Sequence, residues 1–594
     1  MESIIVGHSN GLHDPAIALI ARGQIFAESL ERHTQCKRSI GLFYSMRPLG
    51  RAMHRLFGDK RFDEVTIRQS WQYEVPSPHP LFTERCAAQL EQRVWTRREE
   101  AWLIATDEWS RTFTNQLRWM LSHGRNLPWP DPENDTLWIG PYARWLTRAA
   151  PAPTPNVQSL SHHLAHAANA VFTSPFSECV VMIADGSGEA DALSFFHYDG
   201  SAFRQLSSTS LHHSLGILYG LITELCGFDV WSGEEWKIMG LAAYGQRRPE
   251  LYDFFRTRTQ LDGLSVHLSF ESEWPAHLEQ VAGPFRKPGE DPERAADIAH
   301  NFQEFFADII VELARRAGEL GLSENLAFAG GCALNSSANG RLLSGSPFRW
   351  LHVPSAPADD GNALGAALYE HHVIRGVPRS PATMSPYLGS EIEVGEVEHA
   401  LERAGLSGIR VTRCSSAELC RRSASLLAAG KILGWVQGRA EFGPRALGNR
   451  SILADPRPAE MKDRINKRVK FREEYRPIAP AILHEYGPEF FSPYEESPYM
   501  ERALPFRLEV RGRVPAVVHE DGTGRLQTVK REWNPLFHEL LSEFHAQTGI
   551  PLLVNTSLNV MGKPIVHSAT DALTVFYTTG IDAMAIGSLL IEKL

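Results

Sequence analysis

An α/β protein of at least two domains is what this sequence predicts, and three observations carry that expectation. Short apolar runs that read as strands (SIIVGHS, CVVMIADG, NLAFAGG) alternate with segments of helical period such as ADIAHNFQEFFADIIVELARRAG. At 594 residues the chain is too long for a single core. A proline-bearing connector, RGVPRSPATMSPYLG, separates two stretches that each have strands and helices of their own. The expected division is a first domain over 1–376, a linker over 377–399 and a second domain over 400–594.

In chain order, SIIVGHS opens as a strand and GLHDPAIALIARGQIFAESLE continues as turn, strand, turn, strand. That opening resembles the start of actin-like and sugar-kinase ATPase domains. His13 and Asp14 stand in the first turn, where neighbouring glycines let a ligand come close; a solvated turn is the plain alternative. Between residues 93 and 150 the chain becomes tryptophan-rich. Trp95, Trp102 and Trp109 recur at the seven-residue spacing of one helical stripe, and Trp119, Trp129, Trp138 and Trp145 follow. Such a stripe is core or a dimer seam, or else an apolar wall for a bulky ligand.

QSLSHHLAHAANA then places His162 and His166 four residues apart, on one helical face. Asp185 closes the buried run CVVMIADG at a glycine turn. Two imidazoles and a carboxylate are three parts of a transition-metal site, although a satisfied pair of core histidines would share that spacing. His163 projects about 100° from His162 and has no partner on its own face. EEWKIMGLAAYG combines Lys237 with Gly240 and Gly245, glycines that would let backbone bend close to a nucleotide. NLAFAGG runs into CALNSSANGRLL, so Gly330 and Gly331 sit at a strand-to-helix junction suited to phosphate or ribose, or to a plain tight turn. In VPSAPADDGNALGAALYEHH, either Asp359 or Asp360 would add a second carboxylate to the histidine pair.

Beyond the linker, GRAEFGPRALGNRSILADPR carries Arg439, Glu441, Arg445, Arg450 and Arg457. INKRVKFREEYRPIAPAIL adds Lys462, Lys467, Lys470, Arg472 and Arg476. Cations crowded into an acidic protein point to a bound anion, the guanidinium fork being suited to phosphate or carboxylate. Ion pairing with neighbouring Glu and Asp is the competing explanation. RLQTVKR follows, then GIPLLVNTSLNVMGKPIV, a strand that ends in Asn555, Thr556 and Ser557.

Composition narrows the class. Net charge is −10 with no basic block, which argues against nucleic acid as a partner. No run of 18 apolar residues appears, and MESIIVGHSN lacks the pattern of a signal peptide. Seven cysteines without a CxxC pair fit a reducing compartment, so a cytoplasmic protein is expected.

Taken together, GLHDPAIAL, SHHLAHAANA, EEWKIMGLAAYG, FAGGCALN, DDGNALGAAL, GRAEFGPRALGNRSILADPR, FREEYRPIAP and PLLVNTSLNVMGKPIV resemble the O-carbamoyltransferases of antibiotic and nodulation-factor biosynthesis. The resemblance spans nearly the whole chain; Leu558 stands where members commonly have Phe. It implies a Kae1-like N-terminal domain of actin/sugar-kinase type and a YrdC-like C-terminal domain. It also implies that carbamoyl phosphate is split, the carbamate adenylated by ATP, and the carbamoyl group passed to an alcohol beside bound iron. Other divalent metals suit the same ligands, and magnesium is compatible with the ATP. By this resemblance the metal ligands are His162, His166, Asp185 and Asp359, with His13 the base for the acceptor hydroxyl and Asp14 its companion. Lys237, Gly240, Gly330, Gly331 and Asn335 correspond to the nucleotide pocket. Arg439, Arg445, Lys470, Arg472, Arg476, Asn555 and Ser557 correspond to the carbamoyl-phosphate pocket.

The Trp-rich insertion exceeds the usual family length and lacks a dense acidic cluster. The expected acceptor is therefore a large apolar hydroxylated metabolite, such as a glycosylated macrolide, rather than a polycationic aminoglycoside. A homodimer is compatible with the tryptophan stripe. Two other classes share some of these motifs: a threonylcarbamoyl-type tRNA-modifying enzyme, and a non-catalytic binder of metal and nucleotide.

Overall fold

The computed structural model describes residues 3–9, 14–35, 37–39, 62, 64–70 and 156–594, without 231, 271–272 and 406. His13 and the Trp-rich insertion lie outside the described residues. Two compact units emerge, each assembled from separate stretches of chain. The first takes Met1–Ser214, Ala327–Gly331 and Ala356–Met384; the second takes Leu215–Leu326, Cys332–Ser355 and Ser385–Leu594. Of the five places where the chain changes unit, only Met384/Ser385 falls within the expected 377–399 linker.

The first unit begins with strands β1 (Ser3–Ser9), β2 (Ala16–Ala21), β3 (Gln24–Ser29), β4 (Glu64–Ser70) and β5 (Asn156–Leu160). Their order across the sheet is β3-β2-β1-β4-β5, antiparallel from β3 to β1 and parallel from β1 to β5. Ile4, Val6, Ile17, Leu19 and Phe26 bury its core side. Helix α1 (His162–Thr173) follows at once, and then β6 (Cys179–Gly188), β7 (Asp191–Tyr198) and β8 (Phe203–Ser210) form an antiparallel meander. The hairpin read from ALSFFHYDG and AFRQLSSTS is thus β7–β8.

Helices α2 (Leu215–Leu225), α3 (Glu235–Leu241) and α4 (Ala296–Gly318) belong to the second unit. The amphipathic α4 has the span its period predicts, with Phe302, Phe305, Phe306, Ile309 and Leu313 on the buried face. Strand β9 (Asn325–Ala329) lies beside β6, the short helix α5 (Ser336–Asn339) follows, and α6 (Gly361–Tyr369) closes the first unit's share. The small residues of GNALGAAL have a mechanical purpose. A Cβ on Gly365 would stand 2.0 Å from the Ala165 carbonyl of α1, and one on Gly7 would stand 1.8 Å from the Ala363 carbonyl. Strand β1 and helices α1 and α6 therefore approach more closely than side chains allow.

The second unit is organised on a nine-stranded mixed sheet. Its strands are β10 (Ile409–Arg413), β11 (Leu433–Val436), β12 (Arg450–Ala454), β13 (Ala479–Leu483), β14 (Arg502–Pro505), β15 (Thr523–Val529), β16 (Leu552–Ser557), β17 (Ala583–Ile586) and β18 (Leu589–Lys593). The order is β10-β18-β17-β11-β12-β16-β13-β15-β14. Helices α7 (Ser416–Ala428) and α8 (Pro535–Thr548) pack on each other, and one core joins Leu427, Trp435, Ile452, Leu541 and Leu553. The α/β class is as expected. Most of these strand pairs are antiparallel, the two parallel ones being β11–β17 and β13–β15.

Candidate functional site

In the first unit, α1 points His162 and His166 toward the end of β6, with their Nε2 atoms 3.2 Å apart. Asp185 Oδ2 is 3.1 Å from His162 Nε2 and 3.2 Å from His166 Nε2. Asp359 Oδ1 completes the group at 3.4 and 3.6 Å. All four side chains are buried. Asp185 sits at a register shift in β6 rather than after its last residue, which turns the carboxylate off the sheet. Its other oxygen accepts the backbone N–H of Gly186 at 2.8 Å and of Gly331 at 3.0 Å, so Oδ2 is left facing the imidazoles.

Four donor atoms within 4.8 Å of one another suit a divalent ion, because donors about 2.1 Å from a first-row metal stand roughly 3.0–3.5 Å apart. The charges agree with that fit. Burial alone would lower His162, but the Asp359 and Asp185 carboxylates outweigh it and hold the imidazole up at about 10. Burial likewise opposes ionisation of Asp185 and Asp359, yet the histidines keep both carboxyls well below the usual range. Two buried carboxylates are asking for positive charge, which a divalent cation supplies without burying a proton between the ligands.

Asp360 turns the other way. It accepts from Ser29 Oγ at 2.9 Å and caps the N–H of Gly361. His163 faces Ser194 Oγ at 2.7 Å, and burial pushes it down to about 3. Asp14 occupies a left-handed conformation (φ 53°) and pairs with Arg38 at 3.4 Å. A Cβ at Gly330 (φ 93°) would stand 2.2 Å from the Ala184 carbonyl, so this glycine serves the approach of β9 to β6.

Within the second unit the expected nucleotide residues are engaged with protein. Lys237 Nζ lies 2.5 Å from Glu234 and 3.2 Å from Glu473. Gly240 stands against Pro477. Asn335 caps Ala338 and exchanges hydrogen bonds with Gln303, which in turn accepts from the Tyr219 hydroxyl.

The cation-rich segments divide into two kinds. Arg439 donates to the carbonyls of Leu388 and Gly389, and Arg450 to those of Gln437, Asn449, Ser390 and Gly438. Arg457 pairs with Asp455 at 2.6 Å. Glu441 Oε1 gathers the backbone N–H groups of Leu447, Asn449 and Arg450 at 2.7–3.0 Å and so fixes the glycine loop. These four side chains hold structure together.

Arg445, Arg472 and Arg476 are different. Arg472 donates to Asn466 Oδ1 at 2.7 Å and Arg445 to the Leu334 carbonyl at 3.5 Å, neutral partners both. Arg476 lies 3.6 Å above the Trp236 ring and 3.4 Å from Glu473. Burial pushes Arg445 down to about 10; burial and then Arg476 push Arg472 down to about 9.

A fourth member, Arg525 on β15, was not singled out by sequence reasoning. Burial, then repulsion from Arg445, Arg472 and Arg476, drives it well below its ordinary value, and its buried Nε has no partner among the described residues. It lies in RLQTVKR, a stretch with no spacing that marks it out. Beside this cluster, Lys470 Nζ donates to the Ser557 carbonyl, to Ser557 Oγ at 3.1 Å and to Asn559 Oδ1 at 2.6 Å. Asn555 Nδ2 donates to Gln527 Oε1 at 2.6 Å and to the Ala446 carbonyl at 3.2 Å. Four guanidinium groups grouped in this way, with Glu473 and Glu234 acting on Arg476, suit an anion.

Residues 4–368 match the family model described as carbamoyltransferase N-terminus, and residues 424–593 that described as carbamoyltransferase C-terminus. Nodulation protein NolO of Bradyrhizobium diazoefficiens is 39% identical over 444 residues, covering 73% of this chain and 79% of its own. Nodulation protein NolNO of Sinorhizobium fredii is 38% identical over 444 residues, 74% of this chain. The chain matches only 64% of that relative's length. An uncharacterised Methanocaldococcus jannaschii protein, MJ1058, is 31% identical over 74% of both chains. Among solved structures, HypF of T. kodakarensis aligns at 12% identity and TM-score 0.29 over 64% of this chain and 49% of its own, too loosely to build on.

Proposed function

For a chain that belongs to the carbamoyltransferase family, we propose ATP-dependent transfer of a carbamoyl group from carbamoyl phosphate to the hydroxyl of a small-molecule natural product. The observation that carries this reading is the grouping of Arg445, Arg472, Arg476 and Arg525, in which Arg445 and Arg472 donate to neutral partners and keep their charge available to an anion. In this reading the first unit is the Kae1-like, actin/sugar-kinase-type part. The nine-stranded sheet is the YrdC-like part.

Carbamoyl phosphate gives carbamate and phosphate on the addition of water. Carbamate displaces pyrophosphate from ATP to form carbamoyl adenylate, and the acceptor oxygen then displaces AMP. Carbamate is a poor electrophile, so the mixed anhydride provides the leaving group. The guanidinium groups hold the phosphate by paired N–H donors, and Lys470 with Ser557 and Asn555 borders that position. His162, His166, Asp185 and Asp359 would hold a divalent cation, ferrous iron in this reading, supplying positive charge for the transfer step. The N–H groups of Gly186 and Gly331 keep Asp185 turned toward that centre. His13 is the base for the acceptor hydroxyl, an imidazole with an ordinary pKa of about 6.5 being the side chain suited to that task at neutral pH.

The acceptor we favour is large and mainly apolar, such as a glycosylated macrolide, on the strength of the tryptophans between 95 and 145. The test is incubation with ATP, carbamoyl phosphate, ferrous ion and a panel of hydroxylated metabolites, read by mass for replacement of one hydrogen by CONH2. Failure to release phosphate from carbamoyl phosphate in the presence of ATP would refute the reaction. Preference for an aminoglycoside over macrolides would refute the acceptor class alone.

A further inference from the structure

The guanidinium cluster offers donors and nothing else, because neither guanidinium nor ammonium has a lone pair to give. Two bare acceptors stand on the face that carries Arg525: Asn555 Oδ1 and His519 Nε2 are both buried and without a hydrogen-bond partner among the described residues, and the Asn555 amide is already tied down through its Nδ2. The other nitrogen of His519 is spoken for. Thr523 Oγ1 donates its proton to Asp521 Oδ1 at 2.7 Å, so at 3.2 Å it accepts from His519 Nδ1. That assigns the imidazole proton to Nδ1 and leaves a lone pair on Nε2. The turn that sets this geometry is tight: His519 N–H reaches the Thr523 carbonyl at 2.8 Å, and Gly522 (φ 81°) donates back to the His519 carbonyl at 2.9 Å.

The strand that follows fixes where the imidazole stands. Thr523, Arg525 and Gln527 alternate along β15 and share one of its faces. Gly524 and Leu526 take the other, with a Cβ on Gly524 meeting the Phe506 ring at 2.4 Å and Leu526 fully buried. Gln527 receives the Asn555 amide at 2.6 Å and donates to the Leu447 carbonyl at 2.8 Å, two residues beyond Arg445. His519, held by Thr523, therefore belongs to the same face as Arg525 and Asn555. Burial pushes the imidazole down to about 4, with Asp521 opposing and Arg525 and Lys462 adding to the push. It is neutral, and an acceptor, throughout the physiological range.

We infer that His519 Nε2 accepts an N–H of the carbamoyl group, and so distinguishes carbamoyl phosphate from acyl phosphates. This rests on the reading that the guanidinium cluster takes carbamoyl phosphate. Both carbamoyl phosphate and acetyl phosphate present acceptor oxygens on phosphate and carbonyl, which arginines bind alike. The two differ in NH2 against CH3, groups of nearly one size, and only an acceptor can read that difference. A site whose polar atom is built for a substrate N–H discriminates strongly against the analogue that lacks it.

The experiment is calorimetric titration of the full chain with carbamoyl phosphate, acetyl phosphate and inorganic phosphate, for wild type, His519→Phe and His519→Gln. His519→Phe should weaken carbamoyl phosphate about tenfold while leaving the other two within about twofold. His519→Gln can present an amide oxygen and should regain most of the loss. Thr523→Val, which frees the Nδ1 proton, should show the same selective loss in smaller degree. It stands in if the phenylalanine variant misfolds by thermal melt. Equal weakening of all three anions, or unchanged carbamoyl phosphate binding, would overturn the inference. An Arg525→Met arm separates the two failures. If that variant binds inorganic phosphate as well as wild type does, the cluster is not the anion site and the inference goes with it. If it loses phosphate while His519→Phe shows no selectivity, only the role of His519 is wrong.

Discussion

Replacing Arg525 by Met should move stability in opposite directions with and without anion. The side chain is half-buried with three guanidinium groups near it, and no carboxylate opposes their push upon it. At an effective dielectric near 20, a like pair about 8 Å apart would cost on the order of 2 kcal/mol. Rearrangement and salt will remove much of the sum, leaving a net relief of roughly 1–3 kcal/mol on losing one charge. Methionine fills similar volume without charge, so the ligand-free variant should melt a few degrees above wild type. Phosphate reverses the order. Wild type gains about 2.7 kcal/mol at a hundredfold excess over Kd. The variant lacks a charge-assisted contact worth about 1.5–3 kcal/mol, so its Kd should rise roughly tenfold to a hundredfold. The assay is thermal unfolding of the full chain across a phosphate titration, at low and high salt. A lower melting temperature without anion, together with an undiminished phosphate gain, would show that Arg525 is a structural tie.

Further outcomes follow from the same geometry. His166→Ala should lose bound metal by elemental analysis and abolish transfer to the alcohol, while inorganic phosphate still binds; a variant retaining stoichiometric metal and full turnover would refute the centre. Gly330→Ala places a Cβ 2.2 Å from the Ala184 carbonyl at φ 93°, and strain on the order of 1–3 kcal/mol should appear as a lower melting temperature with weakened metal retention. Glu441→Gln keeps one acceptor oxygen for three backbone N–H groups but loses its charge; a loss of about 1–3 kcal/mol is expected in denaturant melts, and Glu441→Ala should cost more. His519 is held near 4 when folded against 6.5 when free, so the unfolded chain binds more protons between those values. Its stabilising share is complete above pH 6.5 and fades as pH falls toward 4, and His519→Phe should flatten that limb of the melting curve.

Sequence legibility followed periodicity. The ends of α4, the strand before Gly330 and the facing of His162 with His166 all come from short-range spacing, which one element fixes by itself. Arg525 was not visible in that way. It meets Arg445, Arg472 and Arg476 only because the sheet and its loops assemble, and nothing within RLQTVKR signals it. At Arg439 and Asn335 residue type alone does not separate two uses. Guanidinium and amide groups suit ligands, but they suit buried carbonyls and helix caps equally, and there the protein uses them itself. Between Asp359 and Asp360 the residues alone leave the choice open and the resemblance favours Asp359; the packing of α6 against α1 brings that carboxylate to the histidines and leaves the other with Ser29.

That the second unit is stitched from three stretches has a bearing on how such a gene can be cut and recombined. Strand β14 ends the nine-stranded sheet, and residues from far upstream cover it: Asn339 donates to the Glu501 carbonyl, Arg502 donates to the Leu351 carbonyl, and a Cβ on Gly340 would strike Ala503. Residues 385–594 expressed alone would bare that edge, a template for strand-by-strand aggregation. A crossover at the proline-rich connector would join one parent's β14 to another parent's cover. Exchange between relatives should succeed only when 215–326 and 332–355 travel with the C-terminal stretch, so the heritable module is a set of interleaved pieces rather than a contiguous half.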